Sequence, residues 1–245
     1  MIDAPSRRFP FDERGGLVVL IDPGRTSPQG AGELAKRASD AGACGFLVGD
    51  SFGKGGDLSR HADAIRAGAP GLPVVQFPAS ASDLSPDVDA VLFLVLLSGR
   101  DPRYLVEEQV RAVTFFDAHP GIVAISTAYL LVDGGRRSAV EIVSGTKPLA
   151  AEPEIVAAHV KAGGLMGMRA TYLEAGSGAA RPVPPSVIAA ARNASSAPLF
   201  VGGGVTTERA AHTAREAGAD YVVVGTLFER EPTAAVRLMA SATRV

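Results

Sequence analysis

The sequence predicts an α/β fold, a single (β/α)8 TIM barrel, and three features point to it. Eight short apolar runs recur along the 245 residues. Most are continuous rather than alternating, which suits parallel strands covered outside by helices and filled inside by side chains. Alanine-rich amphipathic stretches separate most of the runs. The string Ala41-Gly42-Ala43-Cys44-Gly45-Phe46-Leu47-Val48-Gly49-Asp50 is echoed by Ala217-Gly218-Ala219-Asp220-Tyr221-Val222-Val223-Val224-Gly225-Thr226, the weak repetition that βα units of one barrel produce. An open doubly wound sheet is the other arrangement such a pattern allows.

In chain order the strand candidates are Leu17–Ile21, Gly45–Gly49, Pro73–Phe77, Ala90–Val95, Ile122–Ser126, Arg169–Tyr172, Pro198–Val201 and Tyr221–Val224. Helical patterns cover Gln29–Ala41, Pro102–Asp117, Glu152–Leu165, Pro184–Asn193 and Thr206–Ala217, with Ser, Thr or Pro marking starts. Between Phe77 and Asp89 the chain is short and polar. The helix after the third strand is therefore expected to be missing or replaced by a loop.

Composition bounds the rest. With 47% hydrophobic residues, the chain can bury one large core, so residues 1–245 are expected to form one domain with residues 1–16 as an N-terminal extension. Lys and Arg number 24 against 26 Asp and Glu. No basic cluster is interleaved with aromatics, so small molecules rather than nucleic acid are the expected partners. Cys44 is the only cysteine. It cannot form an intramolecular disulfide, reads as a buried small hydrophobe, and fits a cytoplasmic protein. No signal-peptide core and no transmembrane run of about 20 apolar residues is present. His61, His119, His159 and His212 show no metal spacing and read as surface or packing residues.

Three glycine-bearing strand ends carry the chemistry: Tyr172-Leu173-Glu174-Ala175-Gly176-Ser177-Gly178, Val201-Gly202-Gly203-Gly204 and Val224-Gly225-Thr226. Glycine lets backbone amides approach an anion closely. In a (β/α)8 barrel a phosphate is commonly held by the loops after strands seven and eight, which is where Gly203, Gly204, Gly225 and Thr226 fall.

The string Tyr172 to Ala179, together with Leu20-Ile21-Asp22-Pro23, Val48-Gly49-Asp50-Ser51, Phe77-Pro78, Ala128-Tyr129 and Gly218-Ala219-Asp220, resembles the geranylgeranylglyceryl phosphate synthase family, which includes bacterial heptaprenylglyceryl phosphate synthases. The resemblance runs from about Leu17 to Glu229. It implies a TIM-barrel prenyltransferase that joins an allylic prenyl diphosphate to the C3 hydroxyl of sn-glycerol 1-phosphate and releases diphosphate with Mg2+ as cofactor. It places magnesium positions on Asp22 and Ser51, and glycerol phosphate contacts on Tyr172 through Gly178, Gly203, Gly204, Gly225 and Thr226. It also implies a homo-oligomer.

Glu174, at the end of the sixth strand, is the candidate to accept the proton of the glycerol hydroxyl, with Tyr172 and Ser177 orienting the same molecule. Its structural alternative is a rim ion pair with Arg25 or Lys147; Asp22 can instead be a turn residue and Ser51 a cap. Phe77, Phe93, Leu96, Leu97, Tyr104 and Tyr129 are candidate walls of an apolar trough for the prenyl chain, and Ala79 to Ser85 can leave that side open. The chain departs from the family pattern at Gly24, Arg25, Asp50 and Ser98-Gly99-Arg100. A related variant of this barrel transfers a farnesyl group to 3-phosphoglycerate in phosphoglycolipid biosynthesis, and the resemblance leaves that reaction as an alternative, with Arg25, Lys54, Arg100 and Lys147 as candidate partners for the carboxylate. A phosphosugar isomerase or aldolase-like barrel and a noncatalytic phosphate-binding barrel are readings of other classes. No lysine lies in the eight strands, which weighs against an aldolase.

Overall fold

In a computed structural model the described residues are 9–11, 15–49, 57–225 and 227. Eight parallel strands follow one another around a closed barrel, with β1 pairing both β2 and β8. They are β1 (Gly16–Ile21), β2 (Gly45–Val48), β3 (Val74–Gln76), β4 (Ala90–Leu96), β5 (Val123–Leu131), β6 (Ala170–Glu174), β7 (Leu199–Gly202) and β8 (Tyr221–Val224). Among the described residues the helices are α1 (Pro28–Asp40), α2 (Leu58–Gly68), α3 (Glu108–Ala118), α4 (Ala139–Ser144), α5 (Pro153–Leu165), α6 (Pro185–Ala194) and α7 (Glu208–Glu216). A π-helical turn, Arg103–Glu107, leads into α3, and the position after β3 holds only a 3-10 turn, Ala81–Asp83. The missing helix is as the short polar segment implied.

Local chemistry explains the helix starts. Ser27 accepts from the Gly30 amide at 3.2 Å with Pro28 behind it, Asp57 from Arg60 at 3.2 Å, and Thr207 from Ala210 at 3.2 Å. Each satisfies an amide that has no partner inside its own helix. Ala31, Ala35 and Ala38 bury the inner stripe of α1 against the sheet.

The largest boundary difference is in β5, while β4, β6 and β7 run one or two residues past their expected ends, to Leu96, Glu174 and Gly202. β5 ends at Leu131 rather than Ser126, because Thr127, although polar, is fully buried and bonds its hydroxyl to the Ile125 carbonyl at 2.7 Å. The pairing Ala90↔Val123 through Leu96↔Tyr129 carries β4 and β5 upward together. Ala128-Tyr129 therefore stands within a strand. Cys44 is only half-buried, and its thiol donates to the Leu17 carbonyl at 3.2 Å.

Inside the barrel an aromatic column runs from the amino end toward the carboxyl end. Phe11 packs against Phe200 and Tyr221 at centroid distances of 5.5 and 5.3 Å, Phe200 stacks on Tyr172 at 5.9 Å, and Tyr172 on Phe77 at 5.2 Å. Phe11 lies in the segment read as an extension, yet it is 3% exposed and closes the floor of the barrel. Truncating a buried phenylalanine costs about 3–5 kcal/mol. Phe11→Ala is expected to lower the unfolding midpoint by several degrees in a calorimetric scan while leaving ligand affinity at the opposite end within about twofold.

Candidate active site

Strand alternation sorts the Tyr172–Gly178 string. Tyr172 belongs to the inner core and Leu173 and Ala175 to the shell between barrel and helices. Leu173 and Ala175, candidates for substrate contact, thus turn their side chains away from the axis. Glu174 closes β6 beside Leu131 and Gly202. Beyond it the chain surfaces, so Ser177 and Gly178 are exposed while Gly176 is buried.

Glu174 is 6% exposed, and its Oε1 accepts from the Gly176 amide at 2.5 Å. Burial pushes its carboxyl up to about 7, while the Gly176 amide and the Tyr172 hydroxyl favour the charged form and limit the rise. This environment is not the ion pair with Arg25 or Lys147 that the sequence left open. Arg25 pairs instead with Asp22, Nε to Oδ2 at 3.1 Å.

Two phenols converge on the same place. The Tyr172 and Tyr129 hydroxyls are buried and lack a hydrogen bond of normal geometry, and their rings lie 5.5 Å apart. Burial, and next the Glu174 charge, raises both phenol pKa values well above 10. Both groups therefore remain neutral donors near neutral pH. Buried polar atoms without partners carry an energetic cost that a hydroxyl-bearing ligand would relieve.

Two glycines make the room. A Cβ on Gly202 would stand 2.5 Å from the Tyr172 hydroxyl and 3.1 Å from Glu174 Oε2. One on Gly203, whose φ is +80°, would stand 2.5 Å from Glu174 Oε1 and 2.6 Å from the Gly176 nitrogen. The sequence names Gly202 within its glycine string but assigns phosphate contacts only to Gly203 and Gly204. The signal for Gly202 was parity: two residues after the inward Phe200, it must also face the axis. Gly225 follows β8, so the loops after β7 and β8 open at the same rim, since the strand pairing Gly202↔Val223 sets them side by side. Thr226 lies outside the described residues.

Asp22 follows β1 at that rim. Its Oδ1 accepts from the Gly24 amide at 2.8 Å while Oδ2 meets Arg25. Ser51, Asp50 and Lys54 lie outside the described residues. Among the described residues no cluster of three or more His, Cys, Asp or Glu forms a metal cage. One half-buried carboxylate still suits magnesium, a hard ion that keeps waters and shares its shell with substrate phosphates.

On the other side of Tyr129 an apolar trough opens. Phe77, Phe93, Leu96, Tyr104 and Tyr129 line it, as do Ala79 and Ala81 from the segment that replaces a helix. Leu97 instead packs in the outer shell. The trough exists because β3 pairs with β4 only at Ala90 and Val91, whereas β4 continues to Leu96. Arg100 turns back onto the Gly99 carbonyl at 2.6 Å, and Lys147 is exposed. Of the four histidines, His61 is buried, with its ring nitrogens 2.7 Å from the Asp57 and Thr26 carbonyl oxygens.

Comparison with known proteins agrees with this architecture. The PcrB family model matches residues 11–243. The geranylgeranylglyceryl phosphate synthase of Aeropyrum pernix is 42% identical over 230 residues, 89% of this chain and 88% of that protein. The bacterial enzyme of the same name from Spirosoma linguale is 35% identical over 92% of this chain and 90% of its own. The crystal structure of (S)-3-O-geranylgeranylglyceryl phosphate synthase from Thermoplasma acidophilum, in complex with sn-glycerol-1-phosphate, superposes with a TM-score of 0.87 at 32% identity, covering 94% of each chain. By sequence over nearly its whole length and by the closed barrel it forms, the chain belongs to the PcrB family.

Proposed function

We propose that this protein is a magnesium-dependent prenyltransferase joining C1 of an allylic prenyl diphosphate to the C3 hydroxyl of sn-glycerol 1-phosphate. The supporting observation is the junction at Tyr129 and Tyr172. On one side lies an apolar trough, on the other the buried Glu174 carboxyl with glycine loops around it.

In this reading the loops after β7 and β8 hold the acceptor phosphate through backbone amides. Glu174 accepts a hydrogen bond from the C3 hydroxyl and takes its proton as the C–O bond forms. The bond from C1 to the diphosphate oxygen breaks, and its electron pair leaves with diphosphate. The neutral Tyr129 and Tyr172 hydroxyls donate to oxygens of the reacting partners. The trough wall excludes water from the allylic carbon. Asp22, with Ser51 by family resemblance, would hold Mg2+, which when bound offsets the charge of the leaving diphosphate.

Glycerol 1-phosphate is favoured over 3-phosphoglycerate by the family resemblance, and Arg100, one candidate partner for the extra carboxylate, is folded onto backbone carbonyls. Among the described residues no helix is long and apolar enough to cross a membrane. We place the reaction in the cytoplasm, carried out by a homo-oligomer, in keeping with the family resemblance.

The test is an assay with radiolabelled C10, C15 and C20 prenyl diphosphates, each offered both acceptors with and without magnesium. Magnesium-dependent product with glycerol 1-phosphate, lost in Asp22→Ala, is expected. Absence of product from every pair would overturn the proposal, and product with 3-phosphoglycerate alone would reassign the acceptor.

A further inference from the structure

Two adjacent residues at the start of α3 each hold one lip of the split between β3 and β4. We propose that Glu108 and Gln109 are positioning residues for the prenyl donor, clamping the trough at its working width. The proposal rests on the prenyl-transfer reading above.

Glu108 is a nearly buried carboxylate in a wall that is otherwise mostly apolar. Its Oε2 accepts from the Ala81 amide at 2.8 Å, and its Oε1 from Arg103 Nε at 2.9 Å and Arg111 Nη1 at 3.1 Å. Ala81 opens the 3-10 turn that replaces the helix after β3, so this bond fixes the first lip. Gln109 Nε2 donates to the Leu94 carbonyl and, at 3.3 Å, to that of Tyr104. Leu94 lies in the part of β4 beyond its last pairing with β3, so this bond fixes the second lip.

The π-helical turn makes the first grip possible. The Glu108 amide donates to the Arg103 carbonyl five residues back, which sets the guanidinium against the Glu108 carboxylate and 5.3 Å from the centre of the Tyr104 ring. Burial pushes the Glu108 carboxyl up, but the Ala81 amide and the two arginines hold it below its usual range, so it stays charged at neutral pH. Gln109 also keeps Oε1 buried without a hydrogen-bond partner. An apolar side chain would avoid that cost but release the Leu94 and Tyr104 carbonyls, so the amide serves its grip on β4 rather than the filling of the wall.

Glu108→Gln keeps an acceptor for Ala81 and loses the charge that holds the arginines. Gln109→Met keeps the length and loses the donor to Leu94. In each, KM for prenyl diphosphate is expected to rise about tenfold, while kcat at donor saturation and KM for glycerol 1-phosphate stay within about twofold. A merely structural role would instead move both KM values together, or lower kcat and the melting temperature without separating donor from acceptor. Either pattern, or no change, overturns the proposal.

A second readout needs no turnover. Titration with the uncharged fluorescent probe N-phenyl-1-naphthylamine should show the trough of both variants binding about tenfold more weakly than wild type. Weakened probe binding together with a wild type that transfers no prenyl group would remove the functional reading and leave the clamp. Equal probe affinity in all three proteins would remove the clamp. If Glu108→Gln fails to fold, Gln109→Met carries both measurements.

Discussion

Glu174→Gln is expected to lower kcat/KM for prenyl transfer by about 10³-fold, in the range for loss of a positioned general base, while the protein remains folded. The amide oxygen can still accept from Gly176, so local geometry survives and only the proton acceptor is lost. An isosteric variant with wild-type rate would show that the acceptor hydroxyl loses its proton elsewhere.

The pH dependence has a defined sign. Because the Glu174 carboxyl is pushed from 4.5 up to about 7, the charged form needed for catalysis accumulates only as pH rises through about 7. The profile of log kcat/KM should climb with pH and level off above that value. Tyr172→Phe removes a hydroxyl that favours the charged form, so its midpoint should move upward. An ionisation belonging to the substrate phosphate would stay fixed, which tells the two apart.

Stability runs the other way. Between about 4.5 and 7 the folded protein retains a proton that the unfolded chain has released, so this group's contribution is full below 4.5 and lost as pH rises through the window. Its magnitude is roughly 3 kcal/mol. Glu174→Gln, which has no such ionisation, should become more stable relative to wild type as pH rises from 5 to 8, as read by chemical denaturation. A constant difference would contradict the buried, proton-retaining carboxyl.

Much of the fold was legible because parallel strands buried on both faces leave continuous apolar runs, and all eight appear in the closed barrel. The loss of one helix was legible because Ala79 to Ser85 is too short and too polar to build one. What escaped depended on contacts distant in sequence. Phe11 reads as part of a charged tail until the open floor of the barrel is seen to need a plug. The upper half of β5 contains Ser126 and Thr127, and its pairing with β4 on one side and β6 on the other keeps it extended. At the site, Glu174 and the glycines stood out in the sequence. Their division into inward and outward side chains required the strand register, which removed Leu173 and Ala175 from the interior and added Gly202. Glu108 and Gln109 gave no sequence signal, since a charged and an amide residue at a helix start ordinarily face solvent.

Gly203→Ala should be among the most damaging single substitutions at the site, and Gly178→Ala measures why. Both glycines have positive φ, +80° and +69°, so alanine at either position pays a similar backbone penalty of about 1–2 kcal/mol. They differ in surroundings. A methyl on Gly178 meets nothing within 4 Å, whereas one on Gly203 falls 2.5 Å from Glu174 Oε1, 2.6 Å from the Gly176 nitrogen and 2.8 Å from its carbonyl oxygen. A side-chain tip could yield, but the Gly176 backbone is buried and cannot, so the carboxyl must move and lose its amide bond. Misplacing a reacting group by about 1 Å costs on the order of 100-fold. Gly203→Ala is therefore expected to lose at least about that factor in kcat/KM, with KM for glycerol 1-phosphate raised, while Gly178→Ala loses stability but stays within about tenfold of the wild-type rate. If the two variants prove equally impaired, backbone strain alone explains both, and the close approach of Gly203 to Glu174 has no part in holding the proton acceptor.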